Sequence, residues 1–289
     1  MADTAQDAAG AAEEIKTMKL YSDIERIDNE LRELGVADGA PIDPPQLFAL
    51  DSLHYEGTEA CDAAIAALNL GASSQVLDVG AGLGGPARYL AHTADCAVCA
   101  LELQADVHGK AAELTERAGL ASLVSHVEAD FLACDLASLG GGEGTFDALV
   151  SWLVFLHIAD KGALLPRCAA MLKPGGTMYV EDFFERAPFS DAETNSLRDD
   201  VYCADLPTRE KYVAALEAAG FTDVVFEEKT ADWTAFVDDR LGKFVAARER
   251  FVRVHSEGTY DKLHHFYSAM SRLFNGGNLG GVRLQARKA

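Results

Sequence analysis

Two hydrophobic periods alternate along this chain from residue 58 onward. Short apolar runs of the kind that form strands buried on both faces occupy Gln75–Val79, Ala97–Leu101, Val124–Ala129, Ala148–Trp152 and Thr177–Phe183. Between them lie stretches with helical spacing: Thr58–Asn69, Pro86–Thr93, Val107–Ala118 (closed by Gly119) and Lys161–Leu172. The last of these is expected to stop at a sharp turn, Lys173-Pro174-Gly175-Gly176, because proline cannot extend a helix and glycine permits positive φ. Such alternation predicts an α/β fold, a mostly parallel sheet with helices on both faces.

The repeat then loosens. Arg186–Pro207 is acidic and reads as helical, Thr208 opens a helix over Arg209–Ala219, and Thr222–Glu228 reads as a strand. Ala231–Glu257 and Tyr260–Phe274 read as two long helices, and Val282–Ala286, after a glycine-rich turn at 275–281, as a final strand. Near the N-terminus, Leu20, Ile24, Ile27, Leu31 and Leu34 recur at helical spacing, a stripe that suits a lid over a pocket or an ordinary packing helix. The organisation expected is a disordered leader over 1–14, an N-terminal helical lid over 15–57, a ligand-binding core over 58–184, and the rest of the sheet with substrate-cap helices over 185–289.

Composition narrows the partners. The 25 Lys and Arg against 46 Asp and Glu give a formal charge of −21. That balance disfavours nucleic acid and anionic membrane surfaces, and suits a small neutral or cationic substrate. No run approaches the ~18 apolar residues of a membrane span, and the Ala- and acid-rich start lacks the features of a secretory signal. Of six scattered cysteines only Cys96 and Cys99 form a C-x-x-C pair, and they lie in an apolar strand with no second pair to complete a zinc site. Buried thiols fit a reducing, cytoplasmic setting. The adjacent His264 and His265 diverge by about 100° on a helix, so no metal is expected.

The segment richest in chemistry is Val76-Leu-Asp-Val-Gly-Ala-Gly-Leu-Gly-Gly-Pro86. Gly80, Gly82, Gly84 and Gly85 at a strand-to-helix turn let the backbone bend and approach a ligand closely. Their G-x-G-x-x-G spacing alone also fits a dinucleotide. Asp78 tips the balance: it repels a pyrophosphate and attracts the ammonium and sulfonium of S-adenosylmethionine. Glu102, ending the next strand with Leu103 after it, falls close to the separation at which an acid meets ribose hydroxyls. Asp130, after the third strand, suits an adenine amino group with Phe131 beside the ring. Trp152, after the fourth, suits a shelf for adenine or sulfonium.

In this order, the glycine turn, the acids after strands two and three and Leu172-Lys-Pro-Gly-Gly176 resemble the class I S-adenosylmethionine-dependent methyltransferases over residues 54–184. The resemblance implies a Rossmann-like seven-stranded sheet whose last strand is antiparallel, the role it gives to Val282–Ala286. A closer likeness is to small-molecule enzymes, nearest the sarcosine/dimethylglycine N-methyltransferases. It rests on Asp51-Ser-Leu-His-Tyr-Glu-Gly57, Gly84-Gly-Pro-Ala-Arg-Tyr-Leu90, Phe155-Leu-His157 and Gly276-Gly-Asn-Leu-Gly-Gly281. It implies that His54, Tyr55 and Arg88 lie near the cofactor or the pocket mouth. Segments 186–207 and 231–281 resemble none of these groups closely enough to name an acceptor.

On the acceptor side the catalytic candidates are His157, Asp182 and Tyr21. His157 follows the fourth strand, on the rim where open parallel sheets bind ligands, and can take a proton near neutrality. Strand alternation sends Glu181 and Asp182 to opposite faces, so at most one enters the pocket. Tyr21, Tyr55, Tyr202 and Trp233 are candidates for an aromatic wall, and Arg186 for a carboxylate clamp or a surface ion pair. The expected activity is methyl transfer to an amine of a small polar metabolite, in a monomer or homodimer. Oxygen, sulfur or carbon acceptors, or a cofactor-binding subunit without catalysis, are the alternatives.

Overall fold

The computed structural model describes residues 24–52, 54–203 and 205–289. A seven-stranded sheet runs through the molecule in the order β3-β2-β1-β4-β5-β7-β6. Its strands are β1 Gln75–Val79, β2 Ala97–Glu102, β3 Val124–Glu128, β4 Phe146–Trp152, β5 Leu172–Glu185, β6 Phe221–Glu228 and β7 Leu279–Lys288. β1 to β5 pair in parallel, whereas β7 lies antiparallel between β5 and β6. The reversed last strand is the one the family resemblance implies.

Helices α1 Glu25–Glu33, α2 Pro44–Phe48, α3 Thr58–Leu68, α4 Gly85–Ala94 and α5 Ala105–Arg117 precede or interleave the first strands. The apolar residues of α1 to α5 pack with Val76, Ala148, Val150, Trp152 and Tyr179 on one face of the sheet. Helices α6 Lys161–Met171 and α8 Arg209–Ala218 pack on the other, against Leu77, Leu149, Met178 and Val180. This inside-out parity follows from strand alternation. A third cluster forms the cap, from α7 Asp191–Val201, α9 Thr230–Ala246, α11 Glu257–Gly276 and the segment around Tyr55. The short α10, Arg248–Val254, closes beside α11.

Three expectations need correction. Lys173-Pro-Gly-Gly176 is no turn between elements: β5 runs through it. The pairing shifts there between Phe146–Leu172 and Ala148–Thr177, so the glycines accommodate a bulge. The helix expected over 231–257 is two helices, broken at Ala247. The last strand starts at Leu279, inside the supposed glycine turn, because Gly280 and Gly281 lie under large rings: a Cβ would stand 2.2 Å from Phe184 and 2.1 Å from Trp233 respectively. The expected leader over 1–14 and the start of the lid lie outside the described residues.

Candidate active site

The glycine turn joins β1 to α4, and its members have separate tasks. Gly80, Gly82 and Gly84 hold φ of 77°, 55° and 79°, a region L side chains rarely enter. A Cβ at Gly80 would meet Val154 at 2.5 Å and one at Gly84 would meet Arg88 at 2.8 Å, so these two permit close packing. A Cβ at Gly82 would meet nothing within 4 Å, so that side of its backbone is open to a ligand. The turn is tied to β2 by Gly80 and Ala81, whose amides donate to Leu101 O at 2.9 and 2.8 Å.

Glu102 ends β2 and reinforces that tie. Its Oε2 accepts from Gly82 N–H at 2.9 Å and its Oε1 from Gln104 N–H at 2.8 Å. A carboxylate offers about four acceptor positions, so the two contacts orient the group and leave capacity for hydroxyl donors. Burial raises its pKa. Asp78, at 0% exposure, has no hydrogen-bond partner on either oxygen among the described residues. Burial, helped by the Glu102 charge, pushes its carboxyl up to about 8. A buried acid without a donor is a costly arrangement, and a cation beside it relieves the cost. The open backbone at Gly82, the oriented Glu102 and the unpaired Asp78 therefore fit S-adenosylmethionine.

Leu103 and Asp130 lie half-buried after β2 and β3, and Asp130 Oδ1 accepts from Leu132 N–H at 2.9 Å. Trp152 ends β4 on the face of Asp78. Its ring lies 5.0 Å from His54 and 5.7 Å from Tyr179, and its Nε1 has no partner among the described residues. The backbone turns sharply after it, with Leu153 at φ 56°, a strained conformation of the kind that gathers at functional sites.

Other candidates are placed differently. Phe131 does not flank an open groove: it is 4% exposed, packed in the core of the opposite face, with Arg167 over its ring at 5.7 Å. Arg88 lies beneath the turn rather than at a pocket mouth. Fully buried, it pairs with Asp51 at 2.6 Å and donates to Leu83 O, Ala111 O and Thr115 Oγ1. Asp182 accepts from Tyr212 OH at 2.8 Å on the α8 face, away from Asp78 and Trp152, and so buttresses the sheet. His157 is carried by a short 3₁₀ turn, Phe155–His157, which Lys161 Nζ holds through Phe155 O and Ile158 O. Its Nδ1–H donates to Tyr202 O at 3.1 Å, and burial lowers its pKa to about 4. Arg186 forms a surface pair with Glu228 at 2.9 Å. Tyr21 lies outside the described residues.

Residues 51–52 and 54–57, part of the motif expected near the cofactor or pocket mouth, form a strap beside Trp152. Asp51 ties it to Arg88, and Arg240 Nη2 donates to His54 O at 3.0 Å. Glu56 pairs with Arg283 at 3.1 Å and with Lys229 at 3.2 Å. His54 Nε2–H donates to Gly57 O at 2.9 Å, leaving a buried Nδ1 without a partner among the described residues. Tyr55 packs among Phe183, Trp233, Phe236 and Phe274, joining two of the expected wall residues. Glu181 was weighed against Asp182 for the pocket, but its pairing with Arg283 was unforeseen. The available signal was an arginine within the apolar strand 282–286, which must find a buried acid on a paired strand.

Residues 77–180 match a methyltransferase domain family. With the sheet order and the acid-edged glycine turn, that match defines a class I S-adenosylmethionine-dependent methyltransferase domain. Among particular relatives, the chain is 31% identical over 202 residues to phosphoethanolamine N-methyltransferase 1 of Triticum aestivum, covering 70% of this chain and 39% of that one. It is 28% identical over 211 residues to sarcosine/dimethylglycine N-methyltransferase of Halorhodospira halochloris, 73% of each. The chain thus spans less than half of the wheat protein. Phosphoethanolamine N-methyltransferase 2 of Haemonchus contortus, solved with phosphomonomethylethanolamine and S-adenosylhomocysteine, superposes with a TM-score of 0.75 at 20% identity, over 82% of this chain and 54% of that one. The cyclopropane synthase MmaA2 of Mycobacterium tuberculosis does so at 0.70 and 16%, over 94% and 100%. At such identities the likeness is one of fold.

Proposed function

We propose that this protein transfers the methyl group of S-adenosylmethionine to the amine nitrogen of a small polar metabolite, sarcosine- or dimethylglycine-like, in the cytoplasm. The observation that carries the reading is Asp78, a fully buried carboxyl with no donor among the described residues beside an open glycine turn. In this reading Gly82 and Glu102 hold the ribose, Asp78 the charged end, and Leu103, Asp130 and Trp152 the base and sulfonium. The cofactor supplies an electrophilic methyl on a positive sulfur. The protein's part is to hold donor and acceptor aligned and to exclude water. The named activities of the wheat and Halorhodospira relatives support an amine acceptor, and six free cysteines support a reducing compartment. His157, neutral and fixed by Tyr202, serves as a hydrogen-bonding group near the acceptor.

The test is incubation with methyl-tritiated cofactor and, separately, sarcosine, dimethylglycine, phosphoethanolamine and a fractionated cell extract, with mass spectrometry of the labelled product. Label on an amine nitrogen is the expected result. Label on oxygen, sulfur or carbon, or bound cofactor with no transfer to any fraction, overturns the proposal.

A further inference from the structure

One face of the sheet carries a row of polar groups, of which the cofactor reading uses Asp78 and Trp152 and leaves Tyr179 and Glu181 unassigned. In the pairing register Asp78 stands opposite Val150, which stands opposite Tyr179. Nearer the C-terminal ends of the parallel strands, Trp152 pairs with Glu181 and Glu181 with Arg283. Alternation puts Asp78, Trp152, Tyr179, Glu181 and Arg283 on the same face, under α3. On that face Asp78 Oδ1 and Oδ2, Trp152 Nε1, Tyr179 OH and Glu181 Oε2 are buried without a hydrogen-bond partner among the described residues. Buried polar atoms in native proteins are nearly always satisfied. So many orphans on adjacent strands mark the surface that receives a polar ligand.

Within that row Glu181 is the one acid built to stay partly ionised. It is 0% exposed, and its Oε1 accepts from Arg283 Nε at 3.1 Å and Nη2 at 2.8 Å, leaving Oε2 without a partner among the described residues. Arg283 is in turn shared with Glu56 from the strap and lies 3.8 Å from Glu227 of β6. With Lys229 also paired to Glu56, two bases face the three acids Glu181, Glu56 and Glu227, an excess of negative charge that favours a cation beside Oε2. Glu181 is two strands from Asp78, about 10 Å at ~4.8 Å per strand, with Trp152 on the strand between. That separation suits a methyl donor over Asp78 and Trp152 with an acceptor beyond it.

Resting on the amine-methylation reading, we propose that Glu181 is the acceptor's own residue: its Oε2 binds the N–H of a small cationic amine and removes that proton. The ammonium N–H bond breaks, an O–H bond forms on Glu181, and the electron pair stays on nitrogen, ready for alkylation. The groups that tune Glu181 are Arg283 from β7, Glu56 from the strap, Lys229 at the end of β6, Tyr179 on its own strand and Cys61 from α3. Burial lifts its carboxyl to about 7 against the pull of Arg283, which keeps a proton acceptor effective near neutrality. Asp182, its neighbour in sequence, faces α8 and has no part in this step.

The experiment uses the full chain with S-adenosylhomocysteine and carboxyl-¹³C glutamate labelling, the Glu181 signal being assigned by its loss in Glu181→Gln. Dimethylammonium chloride is the probe. The expected result is a saturable shift of the Glu181 signal toward its ionised position, absent with sodium chloride. A signal that stays put throughout the titration overturns the proposal, whatever the transfer assay shows. In the transfer assay, Glu181→Gln is expected to keep S-adenosylhomocysteine affinity within about twofold. It should also lose at least tenfold in kcat/KM, together with the acidic limb of the profile, and Glu181→Asp should restore that limb. Unchanged kcat/KM with the limb intact overturns it too. Failure of every amine in that assay with a normal Glu181 titration instead sinks the amine reading.

Discussion

Asp78 and Arg88 show how differently two buried charges serve one turn. Asp78 has no hydrogen-bond partner among the described residues, so ligand charge decides its protonation. Cofactor binding should therefore expel a proton from a group near pKa 8. We predict that S-adenosylhomocysteine binding at pH 7 releases a fraction of a proton, measured by calorimetry in buffers of different ionisation enthalpy. Asp78→Asn should abolish the release and weaken binding about tenfold or more, roughly one pKa unit of interaction. Arg88 instead pairs with Asp51 through Nη2 and Oδ2, out of reach of water. Removing one member of a buried pair typically costs ~3–5 kcal/mol. Arg88→Met should lower the urea unfolding free energy by that amount, and adding Asp51→Leu should recover part of it. Sequence could reveal Asp78, because the glycines around it declare a ligand turn. It could not reveal that Arg88 is a strut, since a partner 37 positions away in sequence becomes a neighbour only on folding.

At the level of elements, the periodic region was legible and the aperiodic region was not. β1, β2 and β4 declared themselves by short apolar runs, and α3 to α6 by their spacing and stops. The glycines at 175–176 and 280–281 were read as turns because glycine usually punctuates. Here they serve a bulge and a close approach inside strands, and only the packing partner distinguishes these uses. Trp233, fully buried, lies where a side chain on Gly281 would stand. Gly281→Ala is thus predicted to destabilise by ~1–3 kcal/mol through overpacking, seen as a lower thermal midpoint with altered tryptophan emission. The strap of residues 51–52 and 54–57 was visible as a motif, yet its service as a brace depends on Arg240, Arg283 and Lys229, all far along the chain.

The whole molecule carries opposing titrations whose sum sets its pH response. Burial depresses His54, His126 and His157 to about 4. Such groups bind more protons when unfolded. Their stabilisation is complete above the unfolded value near 6.5 and is lost as pH falls toward 4. Asp78 and Glu181 are raised, to about 8 and about 7, and have the opposite sign: their contribution is full below the ordinary carboxylate range and is lost as pH rises through those values. Between pH 6.5 and 8 the histidines are neutral in both states, so the acids govern. The ligand-free thermal midpoint should fall across that window, and S-adenosylhomocysteine should flatten the fall. A midpoint that rises there contradicts the burial of both carboxyls. The charge of −21 was readable from composition, but burial was needed to say which acids matter.

The placement of β7 carries a consequence for how the molecule is assembled. Residues 279–288 are inserted between β5 and β6 and hydrogen-bond to both. A nascent polypeptide still lacking them presents two naked ladders to its surroundings, the situation that invites aggregation. The sheet stays open during synthesis until its late-arriving keystone slots in, so chaperone demand should concentrate in that interval.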